Sequence, residues 1–148
     1  MQVFVIAPPD SRPLWIMLPV AVLVLAGVVV LATSLYGARS SRFEVTPAGL
    51  QIRGDWYGRF IPADTLVRDR AQRVTLTAAA DLRPTRRTMG TGLPGYQAGW
   101  FRLANGEKAL LYLTDRTKAV YVPTTSGFSL LLSPQDPDGF LSALRSQR

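Results

Sequence analysis

The stretch LWIMLPVAVLVLAGVVVLATSLY, residues 14–36, is apolar along its whole length and contains no charged side chain. Thirteen of its residues are Leu, Ile or Val. A helix needs about 20 apolar residues to cross roughly 30 Å of hydrocarbon, so this stretch is long enough. Trp15 and Tyr36 lie near its two ends, where aromatic side chains favour the membrane–water interface. We therefore predict one transmembrane helix over residues 14–36, preceded by a short N-terminal tail over residues 1–13.

Two other interpretations of this stretch compete with a membrane span. A cleaved signal peptide has a basic start and an apolar core of about 7–15 residues. Here only Arg12 precedes the stretch and the core is longer, although residues 32–34 resemble a weak cleavage site. A buried helix of a soluble domain would show a polar face, and the stretch has none. A permanent anchor is the favoured interpretation.

The basic residues that flank the span predict its orientation. Arg12 alone lies on the N-terminal side, whereas Arg39, Arg42 and Arg53 follow on the C-terminal side. Lys and Arg are more frequent in cytoplasmic segments next to a span. The pattern predicts a single-pass membrane protein whose C-terminal domain lies in the cytoplasm.

Residues 37–148 have the length of one domain with its own core. Asp10 and Arg12 are the only charged residues before this region, so it holds 16 of the 17 bases and 9 of the 10 acids. A net charge of +7 beside a bilayer favours attraction to anionic headgroups, about 1 kcal/mol for each base near the surface. Solubility alone explains a charge of this size equally well.

Cysteine and histidine are absent from the sequence. Their absence excludes disulfides, a thiol nucleophile, a Ser-His-Asp triad and the usual zinc sites. The acidic residues fall in turns or on predicted outer faces, where ordinary turn chemistry explains them. We therefore predict no enzymatic activity, no catalytic residue, no metal and no cofactor.

After residue 42, apolar and polar residues alternate in short runs bounded by Gly, Pro and Asp, which is typical of strands and hairpins. The predicted strands cover residues 43–46, 50–53, 56–61, 73–77, 100–104, 107–113, 119–122 and 128–132, with one helical turn over residues 62–66. Asn105-Gly106 predicts a type I′ hairpin turn, which needs positive φ at both positions.

The chain ends with the pattern of a short amphipathic helix. Asp136 is a suitable N-cap and Pro137 suits the first helical position. Phe140, Leu141 and Leu144 then form one apolar face. The sequence thus predicts a mainly β domain over residues 43–146, with about seven or eight antiparallel strands and a C-terminal helix that covers the open end.

Three segments of this domain carry a resemblance to a known family: residues 49–52, residues 57–62, and residues 131–137 with Phe140-Leu141. Together they resemble small bacterial pleckstrin-homology-like (PH-like) domains over residues 43–145. The resemblance implies an antiparallel barrel or sandwich capped by a helix, no enzymatic activity, and frequent tethering to membranes. Phosphoinositide binding is not implied, because no lysine-rich loop joins the first strands.

Residues 90–95, GTGLPG, match the G-x-G-x-x-G pattern of dinucleotide-binding sites. That fingerprint must follow a strand and open a helix, because the pyrophosphate sits on the helix N-terminus. Here the following residues lead into a predicted strand. The motif therefore predicts a flexible or tightly turned loop rather than a cofactor site.

The segment over residues 81–99 is longer than an ordinary hairpin connection, and we predict a long loop there. Long loops in compact domains tend to be functional or disordered. Guanidinium groups match the geometry of phosphates and carboxylates. The segment and its neighbouring strand therefore predict a site for an anionic headgroup or an acidic peptide, with a solvated loop as the alternative. The candidate binding residues are Arg83, Arg86, Arg87, Tyr96 and Arg102.

Taken together, these features predict a membrane-anchored, non-enzymatic adaptor or binding module that acts at the membrane surface. Its expected partner is another protein or anionic lipid. The alternative is an accessory structural subunit of a larger membrane complex that does not bind lipid. Nucleic acid is not an expected partner, because aromatic residues at strand spacing usually belong to a core. The sequence predicts neither the ligand nor the oligomeric state.

Overall fold

The computed structural model describes residues 12–147. The chain divides into two compact units, one ending at Leu35 and the other beginning at Tyr36. Each unit is described by itself below.

Helix α1 extends from Arg12 to Ser40 and includes Pro19 in its N-terminal half. Among the described residues it is the one helix long and apolar enough to cross a membrane, over Trp15–Gly37. Its apolar side chains are exposed; Trp15, for example, retains 79% of its accessible surface. The Thr33 hydroxyl donates to the carbonyl of Val29 at 2.9 Å. This polar group is therefore satisfied inside the helix, as a hydrocarbon environment requires.

The second unit begins with a small antiparallel sheet of three strands in the order β1-β2-β3. The strands are β1 (Arg42–Thr46), β2 (Gly49–Arg53) and β3 (Phe60–Pro62). A single 3₁₀ turn over Ala63–Thr65 follows β3, which confirms the predicted helical turn.

A larger sheet of six strands follows, in the order β4-β8-β9-β7-β6-β5. Its strands are β4 (Gln72–Val74), β5 (Pro84–Leu93), β6 (Tyr96–Leu103), β7 (Lys108–Leu113), β8 (Ala119–Pro123) and β9 (Ser129–Leu132). The pairs are antiparallel except that of β7 with β9, which is parallel. Helix α2 (Pro137–Ser146) closes the chain.

Both faces of the larger sheet are buried over its central strands. On one face, here called the inner face, alternate residues such as Ala98 and Leu110 pack with the small sheet and with α2. On the opposite, outer face, residues such as Leu111 and Leu131 pack beneath the segment of residues 75–83. Every described residue of β8 and β9 is consequently buried. Strands buried on both faces read as continuous apolar runs, as these do.

The predicted fold class is confirmed: the domain is mainly β, with an apolar N-terminal helix and a C-terminal helix. The structure has nine strands over residues 12–147 rather than about seven or eight, in two sheets that do not close into a barrel. The predicted third strand is shorter than expected. The Asp55 carboxylate accepts from the Tyr57 amide at 2.9 Å, and the resulting turn delays the strand until Phe60.

The predicted hairpin at Asn105-Gly106 is confirmed, but the type I′ turn is wrong. Gly106 has φ +86°, and no non-glycine residue among those described has positive φ. The Gly106 amide donates to the Leu103 carbonyl at 2.9 Å, and the Glu107 amide donates to Asn105 Oδ1 at 2.9 Å. The hydrogen bond from the Glu107 amide to its side chain fixes the conformation of Asn105, whose φ is not positive. The result is a three-residue loop in which only the glycine adopts positive φ.

The predicted cap of the final helix is confirmed. Asp136 Oδ1 accepts from the Gly139 amide at 3.0 Å, and Pro137 occupies the first turn. Phe140, Leu141 and Leu144 are buried in the inner core.

Candidate functional site: a cationic cluster on the larger sheet

The segment predicted as a long loop, residues 81–99, is mostly a hairpin. Strand β5 pairs with β6 from Pro84 to Leu93, and the two strands turn at Pro94-Gly95, where Gly95 has φ +78°. The Thr88 hydroxyl supports the pairing by donating to the Trp100 carbonyl at 2.9 Å. The long-loop prediction is therefore wrong. Its cause is that β5 lies at the sheet edge and is mostly exposed, so its sequence lacks apolar alternation.

The glycine motif is part of the same hairpin. Gly90 and Gly92 lie within β5, and only the end of the motif forms the turn. No helix begins after it; the chain continues directly into β6. The helix N-terminus that a dinucleotide pyrophosphate requires is therefore missing at this motif.

The strand register brings three cations into one row across the larger sheet. Arg86 lies opposite Arg102, and Arg102 lies opposite Lys108. Opposed residues on paired strands project to the same face, with strands about 4.8 Å apart. All three side chains are exposed at one end of the inner face.

Trp100 is the next residue of β6 on the same face, two positions before Arg102, and two cations contact its ring. The Arg59 guanidinium, from the connection between β2 and β3, is centred 4.7 Å from the Trp100 ring centroid. The Lys108 ammonium lies 4.3 Å from the same centroid. The Phe128 ring packs edge-on against Trp100 with centroids 5.1 Å apart. We call Arg59, Arg86, Arg102 and Lys108 the cationic cluster.

The cationic cluster has no anionic counterpart in the described part of the chain. None of its four members forms an ion pair with a carboxylate, whereas Arg53 pairs with Glu44 at 3.4 Å. Arg102 donates instead to the Gly106 carbonyl at 2.8 Å. Residues 82–106 contain four arginines and no Asp or Glu. Like charges directly opposite each other on a sheet are destabilising, and a bound anion would relieve that repulsion.

The five candidate residues named from the sequence fall into different places. Arg86 and Arg102 come together in the cationic cluster. Arg87 lies opposite Phe101 and projects to the other face. Arg83 Nε donates to the Leu76 carbonyl at 2.9 Å, so this side chain fastens the segment over the outer face. Tyr96 is buried at the far end of the hairpin. Their role in binding stays a prediction.

Sequence reasoning missed two members of the cluster. Lys108 lies opposite Arg102 because the loop of this hairpin has three residues, 104–106. Counting outward from the predicted two-residue turn would have placed Lys108 opposite Leu103, on the other face. Arg59 reaches Trp100 only through the packing of the small sheet against the larger one. No local sequence pattern signals that contact.

At the far end of the inner face, two buried tyrosines share one carboxylate. Tyr96 donates to Asp55 Oδ2 at 2.9 Å, and Tyr112 donates to Asp55 Oδ1. Burial raises the pKa of both tyrosines, and the neighbouring Asp55 carboxylate raises each pKa further. The phenols therefore stay protonated and serve as hydrogen-bond donors. This is a closed structural network.

A second such network lies on the outer face. Tyr121 donates to Glu107 Oε2 at 2.9 Å, and Ser129 donates to Glu107 Oε1 at 2.8 Å. Burial raises the pKa of Tyr121, with a smaller contribution from Glu107. Glu107 is adjacent to Lys108 in the chain, but these bonds engage it on the opposite face. It forms no ion pair with the described members of the cationic cluster.

A cleft of about 920 Å³ lies between β1, α2 and the loops that follow β7 and β9. The ring of Phe43 contacts those of Tyr112 and Phe140 edge-on, with centroids 6.2 and 6.1 Å apart. The charged residues that line the cleft are two bases and two acids: Arg42, Lys118, Glu44 and Asp115. Among the described residues, no group of three acidic side chains is arranged to hold a metal ion.

The chain belongs to the bacterial PH domain family, whose model matches residues 41–148. Comparisons with curated proteins and with solved structures gave no match. The fold and the family fit a binding module, and domains of this kind are generally non-catalytic.

Proposed function

We propose that this protein is a single-pass, membrane-anchored, non-enzymatic binding module that holds an anionic partner at the membrane surface. The cationic cluster carries the proposal. It gathers four exposed cations around one tryptophan, without a carboxylate partner in residues 12–147. An anion at this face would gain charge-assisted hydrogen bonds from the guanidinium groups.

The anchor is supported by helix α1. Its apolar window is 23 residues long, and its large apolar side chains are exposed. Exposure of this extent in water would be costly, at about 25 cal/mol for each Å² of apolar surface. A bilayer removes that cost.

A non-enzymatic role is supported by the chemistry of the polar groups. The two best-formed polar networks, around Asp55 and Glu107, use their carboxylates to accept from buried hydroxyls. Their oxygens are occupied with structural bonds. No free nucleophile–base pair is present in these networks.

Anchoring is tested with the full-length protein expressed in a bacterium. Membranes are washed with alkaline carbonate, and the N-terminal sequence of the retained protein is determined. We expect the chain to stay in the membrane fraction with α1 intact. A chain that begins near residue 35 and appears in the soluble fraction would show that α1 is a cleaved signal sequence.

Orientation is tested with a single introduced cysteine, because the chain has none of its own. Ser126→Cys lies in the exposed turn between β8 and β9. A membrane-impermeant maleimide should label this variant only after the cells are lysed. Labelling of intact cells would place the domain outside the cytoplasm.

Anion binding is tested on the fragment 36–148, which contains both cores of the β domain. The two probes are poly-glutamate and vesicles with or without anionic phospholipid. We expect salt-sensitive binding that falls about fivefold for each cluster charge removed, here by Arg59→Gln with Arg102→Gln.

The matched control removes two charges elsewhere, by Arg73→Gln with Arg116→Gln. Arg73 already pairs with Asp138 at 3.3 Å, and the Arg116 guanidinium donates to Gln97 Oε1 at 3.4 Å. If both double variants weaken binding equally, the attraction is a property of net charge and not of the cluster. If neither probe binds, the proposed anionic partner is wrong.

A further inference from the structure

Strand β5 ends the larger sheet, and its outer edge has no partner strand among the described residues. It is ten residues long, from Pro84 to Leu93, and mostly exposed. Such an edge presents unpaired backbone N–H and C=O groups and can template another strand. Proteins usually shield edges of this length.

The shielding of β5 is confined to its first half. The register with β6 shifts between Pro84 and Arg86 and again between Arg87 and Met89, and such irregularities interrupt an edge. From Met89 to Leu93 the register with β6 is continuous. This second half is regular backbone, about 17 Å long.

The small residues of the second half leave that backbone accessible. Leu93 and Tyr96 flank the two-residue turn, so they form a hydrogen-bonded pair. Because hydrogen-bonding direction alternates along a strand, Gly92 directs its N–H and C=O away from β6. Gly92 has no side chain to cover those groups.

The charge around this edge has one sign. Arg86 and Arg87 lie side by side on β5 and project to opposite faces. Both are exposed, and neither forms an ion pair with a described residue. With Arg83 and Arg102, they make residues 82–106 purely cationic. A strand added here would meet arginines on both of its faces.

We infer that the partner of this module is an acidic, extended protein segment that adds to β5 as a seventh strand of the larger sheet. The inference rests on the proposed function and names its partner. Backbone groups of the segment would pair with the second half of β5, and its carboxylates would meet Arg87 on one face and the cationic cluster on the other. A lipid headgroup can neutralise the cations, but it has no peptide backbone that could pair with the strand edge. The unpaired edge therefore favours a peptide as the partner.

The test uses the full-length protein in micelles of an uncharged detergent. The probe is a pool of ten-residue peptides with Glu or Asp at alternate positions and Val, Ile or Thr between them. A second pool keeps the acids and replaces the intervening residues with proline, which removes backbone donors at the same charge. We expect the first pool to be retained and the second to be lost.

Two variants at one position separate edge pairing from charge. Gly92→Pro removes the outward N–H, and Gly92 lacks the positive φ that would exclude proline. Gly92→Ala keeps the N–H, and its Cβ would have only the Arg87 guanidinium nearby, at 3.5 Å. We expect Gly92→Pro to lower peptide affinity about tenfold and Gly92→Ala to leave it near the wild-type value. Arg87→Glu should lower it by a similar factor while the edge stays intact.

The outcomes distinguish this inference from the proposed function. Equal retention of both pools, or wild-type affinity in Gly92→Pro, would refute strand addition while leaving an electrostatic anion site. Binding of anionic vesicles without binding of either pool would show that the partner is lipid, and the inference would be wrong. If peptides and anionic vesicles both fail to bind, the proposed function fails with it.

Discussion

The two ends of the inner face of the larger sheet are built from the same strands and have opposite character. At one end, Tyr96 of β6 and Tyr112 of β7 are buried around the carboxylate of Asp55. At the other end, about 13 Å along β7, Arg102 and Lys108 are exposed and face each other. The connection between β2 and β3 contributes to both ends, with Asp55 at the first and Arg59 at the second.

The difference separates polar groups that stabilise the fold from polar groups that the fold leaves available. At the Asp55 end, each oxygen of the carboxylate has a donor, and the raised tyrosine pKa values keep those donors protonated. At the cationic end, neighbouring like charges lack a carboxylate partner in the described chain. The first arrangement is complete in itself, whereas the second leaves its charges available to the anionic partner proposed above. Three predictions test this contrast.

Removing Asp55 should have the largest effect on stability. Asp55→Ala leaves two buried phenols and the Tyr57 amide without their acceptor, at about 1–3 kcal/mol for each unsatisfied buried group. We expect the free energy of unfolding to fall by about 3 kcal/mol, measured by urea denaturation of the fragment 36–148. The matched control is Asp64→Ala, an exposed aspartate at a 3₁₀ turn, which should change stability by less than about 0.5 kcal/mol. Equal effects of the two substitutions would mean that the Asp55 network is not closed as described.

Alkaline pH should weaken the same end by a smaller amount. Both tyrosines have a folded-state pKa raised above the ordinary value of 10.0. Their contribution is complete below pH 10, because both states are then protonated. It declines as pH rises above 10, since the unfolded chain loses its protons first, by up to about 1.4 kcal/mol for each pH unit and each tyrosine.

The measurement compares urea denaturation at pH 9 and pH 11 for the wild type and for Tyr112→Phe. The variant cannot ionise at this position, so its loss between the two pH values should be smaller. All other titratable groups are common to the two proteins, so the difference between the two losses isolates the effect of Tyr112. Identical losses would show that Tyr112 ionises as freely in the folded chain as in the unfolded one.

The sequence predicts well those parts of this molecule that carry a regular residue pattern. The apolar span, the hairpin around Asn105-Gly106 and the capped final helix each carry a periodic or turn signal. Strand β5 carries none. Its residues from Pro84 to Leu93 are mostly exposed, so nothing selected for apolar alternation there. The parallel pairing of β7 with β9 is likewise set by tertiary packing, which a run of local sequence does not reveal.

The candidate site could be predicted only in part for the same reason. Arg86 and Arg102 were found as unusual basic residues near a glycine-rich segment. Their juxtaposition depends on β5 being a strand, since strand register alone places them opposite each other. The sequence gives no sign that Arg83 and Tyr96 differ from these two arginines in their availability for binding. In the structure Arg83 donates to a backbone carbonyl, and Tyr96 donates to Asp55. Which polar side chain is already satisfied is a property of the folded structure.

The smallest change in the free energy of unfolding is expected at the cationic end. Whether stability rises or falls there is what decides the prediction. Arg86→Glu replaces the like-charge pair with Arg102 by an opposite-charge pair, and Arg86 makes no hydrogen bond that would be lost. We expect the free energy of unfolding to rise by about 0.5 kcal/mol at low salt while binding of anionic probes falls. The gain should shrink in high salt, because exposed charges are screened. Arg116→Glu makes the same change in net charge away from the cluster, so a rise of equal size there would assign the gain to net charge. A loss of stability in Arg86→Glu would mean that the cations at this end contribute to the fold, and the contrast between the two ends would fail.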